Sequence, residues 1–140
     1  MFWSARLLIF WIIWLIFADK TRWREMLPVC ILASLLGSLT DALIHYYPLW
    51  GYDNTLWAEW SDDFSVYPVV VYLFIQWMPR NQQPLHMLTY WLCWTLFAIS
   101  VEWFHLITNH MSYPTGEWTL FHSYLADWFL FWLFYRFHKL

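Results

Sequence analysis

Five apolar runs, cut apart by charged and proline-containing interruptions, constrain this chain more than any other feature. They cover roughly residues 2–18, 27–46, 64–78, 86–107 and 118–135. Each approaches the roughly 20 residues that cross a hydrocarbon layer about 30 Å thick. Could water solvate them instead? Of the 140 residues, 61% are hydrophobic and 12% charged, about half the roughly 25% charged share of a soluble domain. A soluble domain of this size leaves much of its surface exposed, and this composition cannot clothe it in polar groups. The 14 Trp and 9 Tyr cluster at run ends and in loops, where an apolar ring with a polar tip suits the headgroup level. The expected fold is all-α: one domain, a polytopic transmembrane bundle of about five spans in the cell membrane.

Charge sets the expected orientation. With five spans the loops alternate sides, and six of the seven basic residues, Lys20, Arg22, Arg24, Arg80, Arg136 and Lys139, then fall on one side. Arg6 alone falls on the other, so the positive-inside rule puts the N-terminus outside and the C-terminus in the cytoplasm. The first run is read as a retained helix, because cleavage after Ala18 would leave Lys20, Arg22 and Arg24 outside. The third run is the shortest, and Pro68 near its start is a first-turn proline or a kink. The acidic external loop 47–63 carries Leu56, Trp57 and Trp60, which with Phe64 recur at helical spacing. They form a short amphipathic turn in the outer interface or an irregular loop with interfacial tryptophans. Cys30 and Cys93 sit inside apolar runs and are expected as buried small residues, not a disulfide. The net charge of −3 offers no footing for nucleic acid. The expected partners are the lipid bilayer and a second copy or another membrane protein.

Ionisable groups inside spans are expensive and normally face the bundle interior or a hydrated cavity. In span two, Ser34, Ser38, Asp41 and His45 fall on one helical stripe; in span four, Thr95, Ala98, Glu102, His105 and Asn109 do the same. Both spans run outward, so Asp41, His45, Glu102 and His105 lie toward the external ends, and His122 enters span five at that level. Asp127 lies about 15 Å down that span at 1.5 Å per residue, with only Ser123 one turn away on its own helix. These six residues are the candidates for a ligand or proton pocket in the outer half. Below them the chain offers few polar groups, so the inner half is expected to be dry.

Three readings of the pocket compete. Asp41, His45, Glu102, His105 and His122 offer mixed oxygen and nitrogen ligands, with Glu102-x-x-His105 at the spacing of helical-bundle metal sites, suited to a divalent metal such as zinc, iron or manganese. With an open coordination position that set would make a metal-dependent membrane enzyme acting on a lipid or isoprenoid. A second reading is a non-enzymatic site for an ion, proton or small ligand. In the third, the polar groups hydrogen-bond one another and hold the helices in register, as in a structural or accessory subunit of a membrane complex. His86, His110 and His138 sit at span ends and are read as interfacial. Phe2, Trp3, Trp11 and Trp14 are assigned to lipid or a neighbouring helix, while Ala33, Gly37 and Ser38 permit close helix approach. No phosphate-binding glycine loop, nucleophile elbow or Cys-x-x-Cys is present.

Asp41 late in span two, Leu49-Trp50-Gly51-Tyr52 just outside, Phe64-Ser65-Val66-Tyr67-Pro68 and Glu102-Trp103 late in span four occur in an order worth noting. Over roughly Leu32 to Trp118 the chain resembles a family of small, functionally uncharacterised multi-pass membrane proteins of spore-forming Gram-positive bacteria. The resemblance implies the five-span layout and a bacterial plasma membrane, and it implies no activity.

Overall fold

The computed structural model describes residues 1–140. The first apolar run has neither glycine nor proline and forms one helix, α1 (Phe2–Phe17). Ala18 leaves helical geometry, and the Asp19 side chain accepts from the Thr21 amide to cap a short 3₁₀ turn, Lys20–Arg22. Helix α2 (Trp23–Tyr46) follows. Helix α3 (Thr55–Ser61) has its N-terminus capped by the Asn54 side chain, satisfying an amide the helix cannot pair itself. It runs into a π-helical segment, Asp62–Val66, and on into α4 (Tyr67–Gln76). Helix α5 (Pro84–Ile107) opens on a proline, whose fixed φ and missing N–H suit a first turn. Helix α6 (Leu120–His138) ends the chain. The all-α expectation holds: five rods alternate in direction, the third made of α3, the π segment and α4.

The third rod departs most from the sequence expectation. It begins at Thr55, not near residue 64, and Pro68 falls in the first turn of α4, directly after the π segment. Leu56, Trp57, Trp60 and Phe64 do share a helix face, but it is the outward face of this rod and not a separate turn in the interface. The π register has a local cause and a local remedy. The Tyr67 amide donates to the Asp62 carbonyl five residues back, which is the π pattern. One step on, Pro68 has no amide to offer the Asp63 carbonyl, and the Ser34 hydroxyl of α2 donates to it instead, at 2.6 Å.

The two ends of the bundle are held differently. At one end the Asp19 amide donates to Gln76 Oε1 (2.6 Å), Tyr135 donates to Gln82 (3.1 Å) and His138 lies 3.3 Å from Glu25. The turns bearing Lys20, Arg22 and Arg80 and the terminal Arg136 and Lys139 belong to this end. At the other, the 47–54 and 108–119 loops meet in a two-residue antiparallel ladder, β1 (Gly51–Tyr52) against β2 (Met111–Ser112), pairing Gly51 with Ser112 and Tyr52 with Met111.

The outward faces are as apolar as the interior, and polar groups share that interior. Only 28 of 140 residues are buried, and Arg6, Asp41, Asp62, Ser61, Ser65, Thr95, His105 and Ser123 are among them. The outward faces carry Ile31, Leu35, Leu39 and Leu43 on α2 and Leu85, Leu88, Leu92 and Leu96 on α5, apolar rows at i, i+3 and i+4 spacing. Lys20–Tyr46 and Pro84–Ile107 are long and apolar enough to cross a membrane; α1 is apolar but shorter. The interior is sealed around Phe74, Met26, Val29 and Val69. Cys30 is buried, but Cys93 is exposed rather than buried, and both are free thiols.

Candidate functional site

The centre of the polar end is a residue that sequence reasoning used only to orient the chain. Arg6, one and a half turns into α1, is buried and fully engaged by the third rod and α5. Its Nη2 lies 2.8 Å from Asp62 Oδ1 and donates to the Ala58 carbonyl (3.0 Å), while Nε donates to Ser61 Oγ (3.0 Å). Nη1 lies 3.4 Å from His105 Nε2; a guanidinium only donates, so a hydrogen bond there requires Nε2 as the acceptor. The Trp3 ring closes the remaining side, with the guanidinium carbon 4.4 Å from its centroid. Ala58, Ser61, Ser65 and Val69 form the small buried face that admits α1 this closely, and Ser65 donates to the Leu7 carbonyl at 3.0 Å.

The six residues expected in one pocket are dispersed. The α2 stripe is real, but it faces the third rod instead of α5: Ser34 and Ser38 bond Asp63, and His45 lies 3.1 Å from Glu59. That last contact is at ion-pair distance though off the line of a hydrogen bond. Asp41 is buried in the same seam with Oδ2 unpartnered. His105 belongs to Arg6, and His122 lies 2.9 Å from Thr119 at the start of its own helix. Asp41, His45, Glu102, His105 and His122 therefore do not form the metal-ligand set, and no three His, Cys, Asp or Glu side chains gather closely enough to hold a metal ion. The physical reason is rotational: the two stripes turn toward different neighbours.

What Glu102 and Asp127 share is a cavity. It has a volume of about 390 Å³ and lies between the helices. Arg6, Asp62, His105, Glu102 and Asp127 line its upper wall, and Phe97, Leu130, Phe131 and Phe134 its floor. Glu102 Oε1 accepts from Ser123 (2.6 Å) and from Tyr113. Ser123 in turn accepts from Trp118 Nε1 at 2.7 Å, so Asp127 is left without the partner its own helix offered. Burial, and then the bond to Glu102, push the Tyr113 phenol up; burial with Asp62 and Asp41 nearby does the same to Tyr52. Both loop phenols stay protonated, and Tyr113 donates to Glu102.

A clip closes the end above the cavity. Asp53 Oδ1 accepts from Trp3 Nε1 (2.7 Å), Oδ2 lies 2.6 Å from His110 Nδ1, and the Asp53 amide donates to the His110 carbonyl (3.1 Å). Phe2 stacks on His110 at 3.7 Å, so His110 is a loop fastener rather than a free interfacial side chain. Burial raises the Asp53 carboxyl, but the bonds to His110 and Trp3 outweigh it and hold it below its ordinary value. A lowered carboxyl contributes stability that is present above its unfolded value and lost as pH falls through the folded one. Asp53→Asn is therefore expected to lower the melting temperature at pH 6, with the gap from wild type closing as pH drops below about 4. Melting curves in detergent across that range check it; a gap as wide at pH 3 as at pH 6 would refute the carboxylate clip.

Arg6, Asp53, Asp62 and Tyr52 were missed as site residues. Arg6 is a lone charge in an apolar run and Asp62 one of three acids close together, and the helical repeat Ala58, Ser61, Ser65 is the signal that marks their meeting face. No family model, curated protein or solved structure matches the chain.

Proposed function

We propose that the chain is a multi-pass membrane protein of five spans, N-terminus outside, that holds a small ligand in the cavity of its outer half. The observation that carries this is the amphiphilic cavity, with ionisable groups on its wall at the loop-clipped end and aromatic and aliphatic side chains beneath. Its volume falls in the range of small-molecule pockets. The outward apolar rows support burial of the helices in lipid, and the gathering of six basic residues at the opposite end supports the orientation. A bacterial plasma membrane follows from the resemblance of the Asp41, Leu49–Tyr52, Phe64–Pro68 and Glu102-Trp103 landmarks. The lipid bilayer is the partner this reading requires. Arg6 with Asp62, and Ser34 and Ser38 with Asp63, read as bolts between helices that frame the cavity.

Ala126 lines the cavity, and Ala126→Phe would fill part of it. The wild type purified in a neutral maltoside detergent is expected to carry a small molecule at near-stoichiometric level in native mass spectra, and Ala126→Phe to lose it. Identical spectra from two equally folded proteins would sink the ligand reading. A C-terminal fluorescent fusion is expected to report from the cytoplasm, and silence there would overturn the orientation.

A further inference from the structure

The charge balance of the cavity defines what it can hold. Arg6 is the cation on its wall, and Asp62 neutralises it at 2.8 Å. Glu102 and Asp127 remain with no basic side chain, Glu102 served by two hydroxyl donors and Asp127 by none. Isolated carboxylates in a low-dielectric site are costly unless a counter-charge or a proton meets them. Beneath them the floor is apolar, and Tyr52, Tyr67, Trp50 and Trp118 line the walls, residues whose ring faces attract ammonium groups.

A way in lies beside these tryptophans. A second, outer groove of about 520 Å³ runs between the end of α2 and the 113–118 loop, lined by Leu43, Ile44, Leu49 and Glu117. Trp50, Trp118 and Thr40 line both this groove and the inner cavity, and the two indoles sit 5.1 Å apart. Trp118 is held by Ser123, the residue that also donates to Glu102. The indole pair is thus a partition, and its latch is bonded to one of the unbalanced carboxylates.

We infer that the cavity binds an organic cation with an apolar body, its ammonium between Glu102 and Asp127 and its hydrocarbon on the Phe97, Phe131 and Phe134 floor, admitted past Trp50 and Trp118. This rests on the ligand-holding reading above and adds the ligand's class. An anion would meet two acidic groups with no basic partner, whereas an ammonium supplies the counter-charge that bound protons would otherwise have to replace.

Octyltrimethylammonium, octanol, octyl sulfate and tetramethylammonium serve as probes in isothermal titration of the full protein in maltoside micelles. Octyltrimethylammonium is expected to bind at least about tenfold tighter than the other three, and Asp127→Asn and Glu102→Gln each to weaken it by about tenfold. Trp118→Ala is expected to speed both association and release in stopped-flow mixing; rates equal to wild type would overturn the entry past the indole pair. Melting temperatures within a few degrees of wild type qualify each variant, and Glu102→Gln stands in if Asp127→Asn does not fold. Equal binding of the octyl ammonium, alcohol and sulfate, all lost in Ala126→Phe, would keep the cavity and overturn the cation. Equal binding of tetramethylammonium would overturn the apolar body. No binding by any probe, in protein shown to be free of a co-purified molecule, would overturn the ligand reading itself.

Discussion

Arg6→Ala is expected to destabilise the bundle by about 3–5 kcal/mol, the cost of breaking a buried ion pair from one side. The guanidinium is surrounded: Asp62, Ser61, the Ala58 carbonyl and His105 all lie against its nitrogens, and Trp3 covers its face. Alanine leaves the Asp62 carboxylate buried with no counter-charge and strands the other acceptors, which are not near enough to water to recover. Lysine does not repair this, because one compact ammonium cannot serve groups spread around a planar fork. Removing both charges together is a different matter. Arg6→Met/Asp62→Leu should recover most of the loss, since a well-packed apolar pair often equals a buried ionic one. Unfolding titrations in mixed micelles, followed by far-ultraviolet circular dichroism, measure all four proteins. A loss in Arg6→Ala under about 1 kcal/mol, the worth of a water-exposed pair, would mean that the guanidinium reaches solvent.

That network also shows where sequence reading succeeds and where it stops. The helices of Phe2–Phe17, Trp23–Tyr46 and Pro84–Ile107 follow from unbroken apolar runs bounded by charge or proline, and their ends fall within a few residues of the expected positions. The third rod hid its first half, because Glu59, Asp62 and Asp63 read as an acidic external loop. Once Arg6 and Ser38 neutralise or bond two of those carboxylates, the same residues can be helical and internal. Hydropathy is local, whereas the compensation is supplied by other helices. Helical stripes pose the same difficulty. The periodicity of Ser34, Ser38, Asp41 and His45 correctly gives one face, but says nothing of which neighbour that face meets. The α2 stripe met the third rod and the α5 stripe met α1 and α6, so five potential ligands ended in separate contacts. Glu102, His105 and Asp127 alone of the expected six remained together around a cavity, a fact of rotation and packing with no signature in spacing.

Gly37→Ala is the second large effect expected, and it tests the packing that shapes this cavity. In a helix interior alanine is ordinarily better than glycine by about 1 kcal/mol. Here the sign reverses. A Cβ on Gly37 would sit far inside contact distance of the Tyr67 ring and of Asp63 Oδ1. Neither can retreat cheaply: Asp63 is bonded through its carboxylate to Ser38 and through its carbonyl to Ser34, and the Tyr67 amide is committed to the Asp62 carbonyl in the π turn. Overpacking of this kind costs about 1–3 kcal/mol, and the rigidity of both neighbours places Gly37→Ala at the upper end, with Gly37→Leu expected not to fold. Shrinking the obstacle should rescue it, so Gly37→Ala/Tyr67→Val should melt above Gly37→Ala in detergent; a double variant no better than the single would show that the clash is with Asp63 alone. The same substitution has a second readout. Tyr67 lines the cavity, and a ring displaced by the new methyl can move only toward that space. Gly37→Ala protein that does fold is therefore expected to bind octyltrimethylammonium more weakly than wild type, while Gly37→Ala/Tyr67→Val recovers the volume and with it the binding, which ties the close approach of α2 to the π segment directly to the site it frames.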